Sequence, residues 1–264
     1  MTDLSGVPES ALANLGRRAV AARAKRPLLR DPLAVEVAER LDHDFSAAPR
    51  GASLHALRVL TFDRAVRDFL RRYPAGTVVA LGEGLETQFW RVDNGTANWV
   101  SVDLSPVIAL RRELLPDETR VRLHAGSALD LTWADGVQAP ALVTAQGLLP
   151  YFPREEVHSL IAAIAERLPG SSFVFDVVPM RMLKVVERMS GRERDQAVEL
   201  WTWLFDADER AALERIPGVA SIRDLSPPVK LGVAPLALRA VRALPRKLRY
   251  SLPVLPVLEM QLAR

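Results

Sequence analysis

Apolar residues change their spacing along this chain at Thr77. Upstream, three segments read as helices: Ala11–Arg26, a segment opened by Asp31-Pro32, and a third from about Leu54 to Arg72. Asp31 is placed to accept from the first free amides of its helix, and Pro32 suits the first helical turn. The third helix must stop before Pro74-Ala75-Gly76. Downstream, short apolar runs take over at Thr77–Leu81, Trp99–Val102, Val121–Leu123, Ala141–Thr144 and Ser172–Phe175. Their continuous hydrophobicity suits strands buried on both faces. Helical patterns separate them, clearest at Ser105–Leu115 and Arg154–Leu168, where Val157, Leu160, Ile161, Ile164 and Leu168 share one helical face. Strands alternating with helices predict βαβ units and a mainly parallel sheet.

The alternation ends after Asp176. Met180–Arg215 is amphipathic and predicts helix, with Trp201, Trp203 and Phe205 close together; Ser221–Leu225 and Val254–Leu262 supply late strands. The expected organisation is a single compact domain. A helical cap spans residues 1–72, and an α/β core spans 73–264 with an insertion at about 178–218.

Composition narrows the chemistry. The 264 residues include no cysteine, which excludes disulfides, thiolate metal sites and cysteine nucleophiles. A chain without disulfides fits a cytoplasmic location. Neither a secretory leader nor an apolar run long enough to span a bilayer is visible, so no membrane partner is expected. The formal charge is +3, with basic residues clustered in Arg17–Arg30, Arg64–Arg72 and Arg239–Arg249. Such clusters suit either phosphate contacts or solvated helix faces. Without interleaved aromatic residues for base stacking, the second is favoured and nucleic acid is not the expected partner.

The segment that points to a ligand is Val78-Val79-Ala80-Leu81-Gly82-Glu83-Gly84-Leu85-Glu86-Thr87. A strand enters a Gly-x-Gly turn and leaves as a helix, so that backbone can approach a ligand that a β-carbon would obstruct. Asp103 follows the next apolar run, 21 residues beyond Gly82, where a carboxylate can accept from both hydroxyls of a ribose. The third glycine expected of a dinucleotide fingerprint is replaced by Thr87. An adenosyl ligand without phosphate fits these residues better than a dinucleotide.

Taken together, these motifs resemble the leucine carboxyl methyltransferases and their bacterial relatives, which include polyketide carboxyl and hydroxyl methyltransferases. The likeness is carried by Val78–Arg91, by Val102-Asp103-Leu104 with Pro106-Val107-Ile108, by Asp130-Leu131 with Trp133, and by Gln146 to Phe152. Arg30-Asp31-Pro32 and Arg58 with Asp63 add to it upstream. The resemblance implies a Rossmann-like class I methyltransferase fold: α/β, with a mostly parallel seven-stranded sheet flanked by helices, a helical N-terminal cap and a helical insertion after the fifth strand. It implies S-adenosyl-L-methionine as cofactor. By position, Arg58 would pair with the carboxylate of the cofactor's methionine part, which Gly82 and Gly84 let the backbone approach. Asp103 and Leu104 would hold the ribose, and Leu129, Asp130 and Leu131 would frame the adenine. Gln146 and Tyr151 would lie beneath the cofactor, near the acceptor.

Two positions depart from the family pattern. Glu86 stands for an aspartate, and Gln146 stands for a glutamate, so Gln146 cannot act as a carboxylate base. His43, His55, His124 and His158 read as structural or solvent-facing, and no catalytic base is identified; Tyr151 is the one catalytic candidate. No metal cluster is evident. The expected function is O-methyl transfer to a carboxylate or acidic hydroxyl of a small hydrophobic acceptor, with Tyr151, Trp201 and Trp203 facing that acceptor. Alternatives left open are a cofactor-binding protein without methyl transfer, a protein C-terminal carboxyl methyltransferase and a tRNA-modifying relative. A homo-oligomer is equally open.

Overall fold

The computed structural model describes residues 6, 8–41, 43–45, 52–180, 182, 201–228 and 256–264. Seven strands form one sheet: β1 (Thr77–Leu81), β2 (Asn98–Asp103), β3 (Val121–Ala125), β4 (Leu142–Ala145), β5 (Ser172–Asp176), β6 (Val219–Leu225) and β7 (Val257–Leu262). Their order is β3-β2-β1-β4-β5-β7-β6. The first five are parallel, and β7 runs antiparallel to both β5 and β6. The predicted seven-stranded, mostly parallel sheet is what the chain forms.

Both faces of the sheet are covered, which explains the uninterrupted apolar runs. On one face Val79, Leu81, Val100, Val102, Phe173 and Phe175 pack with Val157, Leu160, Ile161 and Ile164 of α6 (Arg154–Arg167). On the other, Val78, Ala80, Trp99 and Val174 meet Phe62, Val66, Phe69 and Leu70 of α3 (Ala52–Arg72) and Phe89 of α4 (Gln88–Val92). Each such side chain removed from water contributes about 1.5–3 kcal/mol, and the alternation along β1 sets which residue serves which face.

The cap joins the core through α1 (Glu9–Arg23) and α2 (Pro32–Arg40), whose Leu12, Leu15, Ala34 and Val37 bury Leu85 and, from α5 (Ser105–Leu114), Leu110 and Leu114. Asp31 caps α2 as expected, accepting from the Ala34 amide at 3.1 Å with Pro32 in the first turn.

One stretch differs from its helical expectation. Trp201–Phe205 is not helical, and Phe205 bridges to Pro179; the helix that follows it is α7 (Ala207–Leu213). The cause is a two-residue alternation, Trp-Thr-Trp-Leu-Phe, which puts Trp203 and Phe205 together in the core. Residues 181 and 183–200 of the predicted insertion, and the basic cluster Arg239–Arg249, lie outside the described residues. Within the described residues no helix is long and apolar enough to cross a membrane.

Candidate functional site

The carboxyl ends of the parallel strands bring together most of the residues singled out from the sequence, as expected where an open α/β sheet binds ligands. β1 ends at Leu81, and Gly82 and Gly84 both take φ +58°. A β-carbon at Gly82 would stand 2.7 Å from Leu148 Cδ1, so the glycine serves a close approach as well as a left-handed backbone. Asp103 closes β2. Its Oδ2 accepts the Gly84 amide at 2.7 Å and its Oδ1 the Leu104 amide at 2.8 Å. Burial raises the Asp103 carboxyl; the two amides and Arg111 act against this. Leu104 beside it is half exposed.

The end of β3 is tied to the same place, since Gly126 donates to the Asp103 carbonyl at 2.9 Å. From there the chain runs into a 3-10 turn, Leu131–Ala134, capped by Asp130 Oδ1 on the Thr132 amide at 3.2 Å. Leu129 and Leu131 are partly buried against the core.

After β4, Gln146 is followed by Gly147 at φ +71°, whose amide donates to Asp176 Oδ1 at 2.6 Å. Asp176 Oδ2 in turn accepts from Arg58 Nη1 at 2.7 Å. Arg58 Nη2 lies 3.2 Å from His55 Nδ1. A guanidinium only donates, so that imidazole nitrogen accepts and the ring proton sits on Nε2. Burial first, then Arg58, Arg18, Arg17 and Arg91, hold His55 well below its ordinary range, so it is neutral near pH 7. Three buried polar atoms of this cluster have no partner among the described residues: Arg58 Nε, His55 Nε2 and Gln146 Oε1. A buried polar atom without a partner costs about 1–3 kcal/mol, so this is a place that a polar ligand would complete.

Tyr151 ends a second 3-10 turn, Leu149–Tyr151, and is half-buried. The Pro150 carbonyl in that turn accepts from the amides of Thr202 (2.8 Å) and Trp203 (3.2 Å), which fastens the Trp201–Phe205 segment alongside. Trp201 is half-buried. Trp203 lies in the core, between Phe175 and Phe205, with its indole N–H on Glu209 Oε1 at 2.8 Å.

Several residues of this region escaped the sequence reading. Asp176 carried a usable signal, an acid at the tip of an apolar run, the same signal that marked Asp103. Arg18 and Arg111 carried none, because each sits in a helix where a polar residue reads as solvent-facing, and His55 read only as structural or solvent-facing; all three are buried. The basic cluster Arg64–Arg72 does lie on an exposed helix face, with Arg64 and Arg71 paired to Asp68. An open groove of about 830 Å³ is found elsewhere, at the amino ends of the strands between Pro74–Thr77 and Asp135–Pro140; Arg72 lines it, and none of the residues singled out for the cofactor or acceptor does. Among the described residues no cluster of His, Asp and Glu is arranged to hold a metal ion.

Comparison with known proteins points the same way. The chain is 34% identical over 181 residues to the tetracenomycin polyketide synthesis O-methyltransferase TcmP of Streptomyces glaucescens, covering 66% of this chain and 67% of that one. It is 27% identical over 241 residues to the S-adenosyl-L-methionine-dependent methyltransferase dpfgK of Gibberella zeae, covering 82% and 80%. Its fold is shared with the magnesium protoporphyrin IX methyltransferase of Synechocystis PCC 6803, solved with bound SAH, at a TM-score of 0.54 and 12% identity over 88% of this chain and 94% of that one. The pattern described as leucine carboxyl methyltransferase matches residues 11–165, and the chain therefore belongs to that family of S-adenosylmethionine-dependent methyltransferases.

Proposed function

We propose that this methyltransferase acts on oxygen, methylating a carboxylate or acidic hydroxyl of a small hydrophobic acceptor of the secondary-metabolite type. The observation that carries the assignment of the site is the group of unpartnered buried atoms on Arg58, His55 and Gln146 beside the glycine turn. Their donors and acceptor suit the ammonium and carboxylate of an amino acid moiety. The likeness to a polyketide O-methyltransferase supports oxygen as the nucleophile.

In this proposal Arg58, Gly82 and Gly84 hold the methionine part of the cofactor, and Asp103 with Leu104 holds the ribose. Leu129, Asp130 and Leu131 frame the adenine, and Gln146 lies beneath the cofactor on its methionine side, near the acceptor. S-adenosylmethionine supplies a methyl group already activated by its sulfonium. What remains for the chain is to align the acceptor oxygen and to exclude water. A carboxylate needs no base, and an acidic phenol needs little help, which agrees with a site whose one buried histidine is neutral and engaged with Arg58. Tyr151 and Trp201, both half-buried, face the acceptor in this reading. Trp203 enters it from behind, by holding the Tyr151 turn through Pro150.

The test is transfer of labelled methyl to a panel of aromatic polyketide carboxylates and phenols, with C-terminal-leucine peptides and tRNA in parallel. Label on a small acceptor is expected, lost in mild base if the product is an ester and retained if it is an ether. Label confined to peptide or RNA overturns the proposal, as does binding of S-adenosylmethionine with no transfer to any acceptor.

A further inference from the structure

We propose that Arg18 and Arg111 are positioning residues of the cofactor site: two buried guanidinium groups, one from the cap and one from the core, hold three successive carbonyls of the glycine turn and preset it for binding. This rests on the assignment of the Gly82–Glu86 turn to the cofactor.

The turn needs such help. With Gly82 and Gly84 in the left-handed region, the chain from Gly84 to Glu86 has left β1 and has not yet entered α4, so neither strand nor helix takes its carbonyls. Arg111 Nη1 donates to the Gly84 carbonyl at 2.7 Å and to the Glu86 carbonyl at 3.0 Å. Arg18 Nη2 donates to the Leu85 carbonyl between them. Both arginines are almost wholly buried, at 1% and 2% exposure.

Each is paired with an acid of the same turn. Arg111 Nη2 lies 2.8 Å from Glu83 Oε2, the residue between the two glycines, and Glu83 Oε1 accepts from Trp99 Nε1 at 3.1 Å. Arg18 Nη1 lies 3.2 Å from Glu86 Oε2, and its Nε lies 3.4 Å from Asp31 Oδ2 at the start of α2. A buried ion pair contributes little net stability and is often replaceable by apolar groups of equal volume. An apolar group, however, has no donor for a carbonyl. The retained chemistry is therefore the fork of N–H groups, which fixes where the turn's carbonyls point and, through them, where its amides face. Because Arg18 comes from α1, docking of the cap and shape of the turn are set by one network.

The experiment uses the full chain with Arg111→Met, Arg111→Lys and Arg18→Met. Affinity for S-adenosylhomocysteine is measured by calorimetry, KM and kcat by methyl transfer, and amide exchange over residues 82–87 without ligand. The expected result for each methionine variant is affinity weakened about tenfold or more, since Arg18→Met removes one charge-assisted hydrogen bond to the turn and Arg111→Met removes two. KM for S-adenosylmethionine rises to match, saturating kcat is little changed, and exchange in the turn is faster. Arg111→Lys restores part of the affinity, since an ammonium reaches one carbonyl but cannot span two. Wild-type affinity and wild-type exchange in folded variants overturn the proposal, and so does a fall in kcat at unchanged KM. Should the methionine variants not fold, Glu83→Gln leaves Arg111 in place without its charged partner. A smaller rise in KM with faster exchange is then expected, and no change overturns the proposal. Asp103→Ala separates the two levels: if it too leaves affinity intact, the site assignment has failed; if it alone abolishes binding, only the role of the arginines has.

Discussion

Arg58 on α3 and Asp176 at the end of β5 form a 2.7 Å ion pair across 118 residues of sequence. The other carboxylate oxygen of Asp176 takes the Gly147 amide at 2.6 Å, so one acid aligns a guanidinium and a turn, side by side, at the proposed methionine pocket. A β-carbon at residue 147 would stand 3.1 Å from Arg58 Nη1, which shows how closely the turn and the arginine are seated.

Asp176→Asn tests that alignment. An amide keeps one acceptor but turns its NH2 toward either Arg58 or Gly147, both of which donate. Breaking a buried pair in this way costs about 3 kcal/mol. Thermal melting is expected to fall by several degrees, and affinity for S-adenosylhomocysteine by about tenfold. Unchanged binding in a folded variant would show that Arg58 is oriented without Asp176.

The parallel sheet was legible because burial on both faces leaves an apolar signature that a short run displays by itself, and because Asp103 marks the end of such a run. The Trp201–Phe205 segment misled for a related reason. Its bulky residues satisfy a helical moment as readily as a two-residue alternation, and only the core it meets decides between them. The arginines were opaque. Arg18 and Arg111 stand in helices among other basic residues, and what makes them internal is carbonyls 67 and 27 residues away. Local spacing carries no trace of so distant a partner.

Gly82→Ala should fail twice over. A left-handed backbone costs a non-glycine residue about 1–2 kcal/mol, and the added carbon meets Leu148 Cδ1 at 2.7 Å. Adding Leu148→Ala should recover the steric part in a double-mutant cycle while leaving the backbone part. Gly95→Ala is the control. It has φ +84° with nothing within 4 Å, so it should lose about 1 kcal/mol and bind the cofactor normally. Melting curves with calorimetry separate the three cases, and equal losses at residues 82 and 95 would refute the contact.

Acid should loosen the cap. Burial alone would raise the Glu86 carboxyl, but attraction to Arg18 and Arg91, with hydrogen bonds from Arg91 and the Thr87 amide, outweighs it and holds the group at about 2, against 4.5 unperturbed. A folded-state value below the unfolded one contributes stability that is present above pH 4.5 and is lost as pH falls from 4.5 toward 2. The contribution is roughly 3 kcal/mol. Glu86→Gln should therefore be less stable than wild type at pH 7, and the gap should narrow through that window. A gap independent of pH, measured by urea denaturation, would show that Glu86 does not titrate there.

Glu209 offers a way to disturb the proposed acceptor side without touching the proposed cofactor residues. Its Oε1 accepts both Trp203 Nε1 at 2.8 Å and His158 Nε2 at 2.6 Å, and its Oε2 accepts Arg154 Nε at 2.7 Å. Through Trp203 it holds the segment whose amides bind the Pro150 carbonyl, next to Tyr151. Glu209→Ala strands a buried indole N–H, a loss of about 1–3 kcal/mol, and frees that segment to shift. Glu209→Gln keeps the oxygen that serves Trp203 and His158 and gives up only the half-exposed Arg154, so it should be mild. If Tyr151 and Trp201 face the acceptor, Glu209→Ala raises KM for the acceptor several-fold while affinity for S-adenosylhomocysteine stays at the wild-type value. Equal weakening of both ligands would mean that the Trp201–Phe205 segment supports the whole site, and the division between a cofactor half and an acceptor half would have to be redrawn.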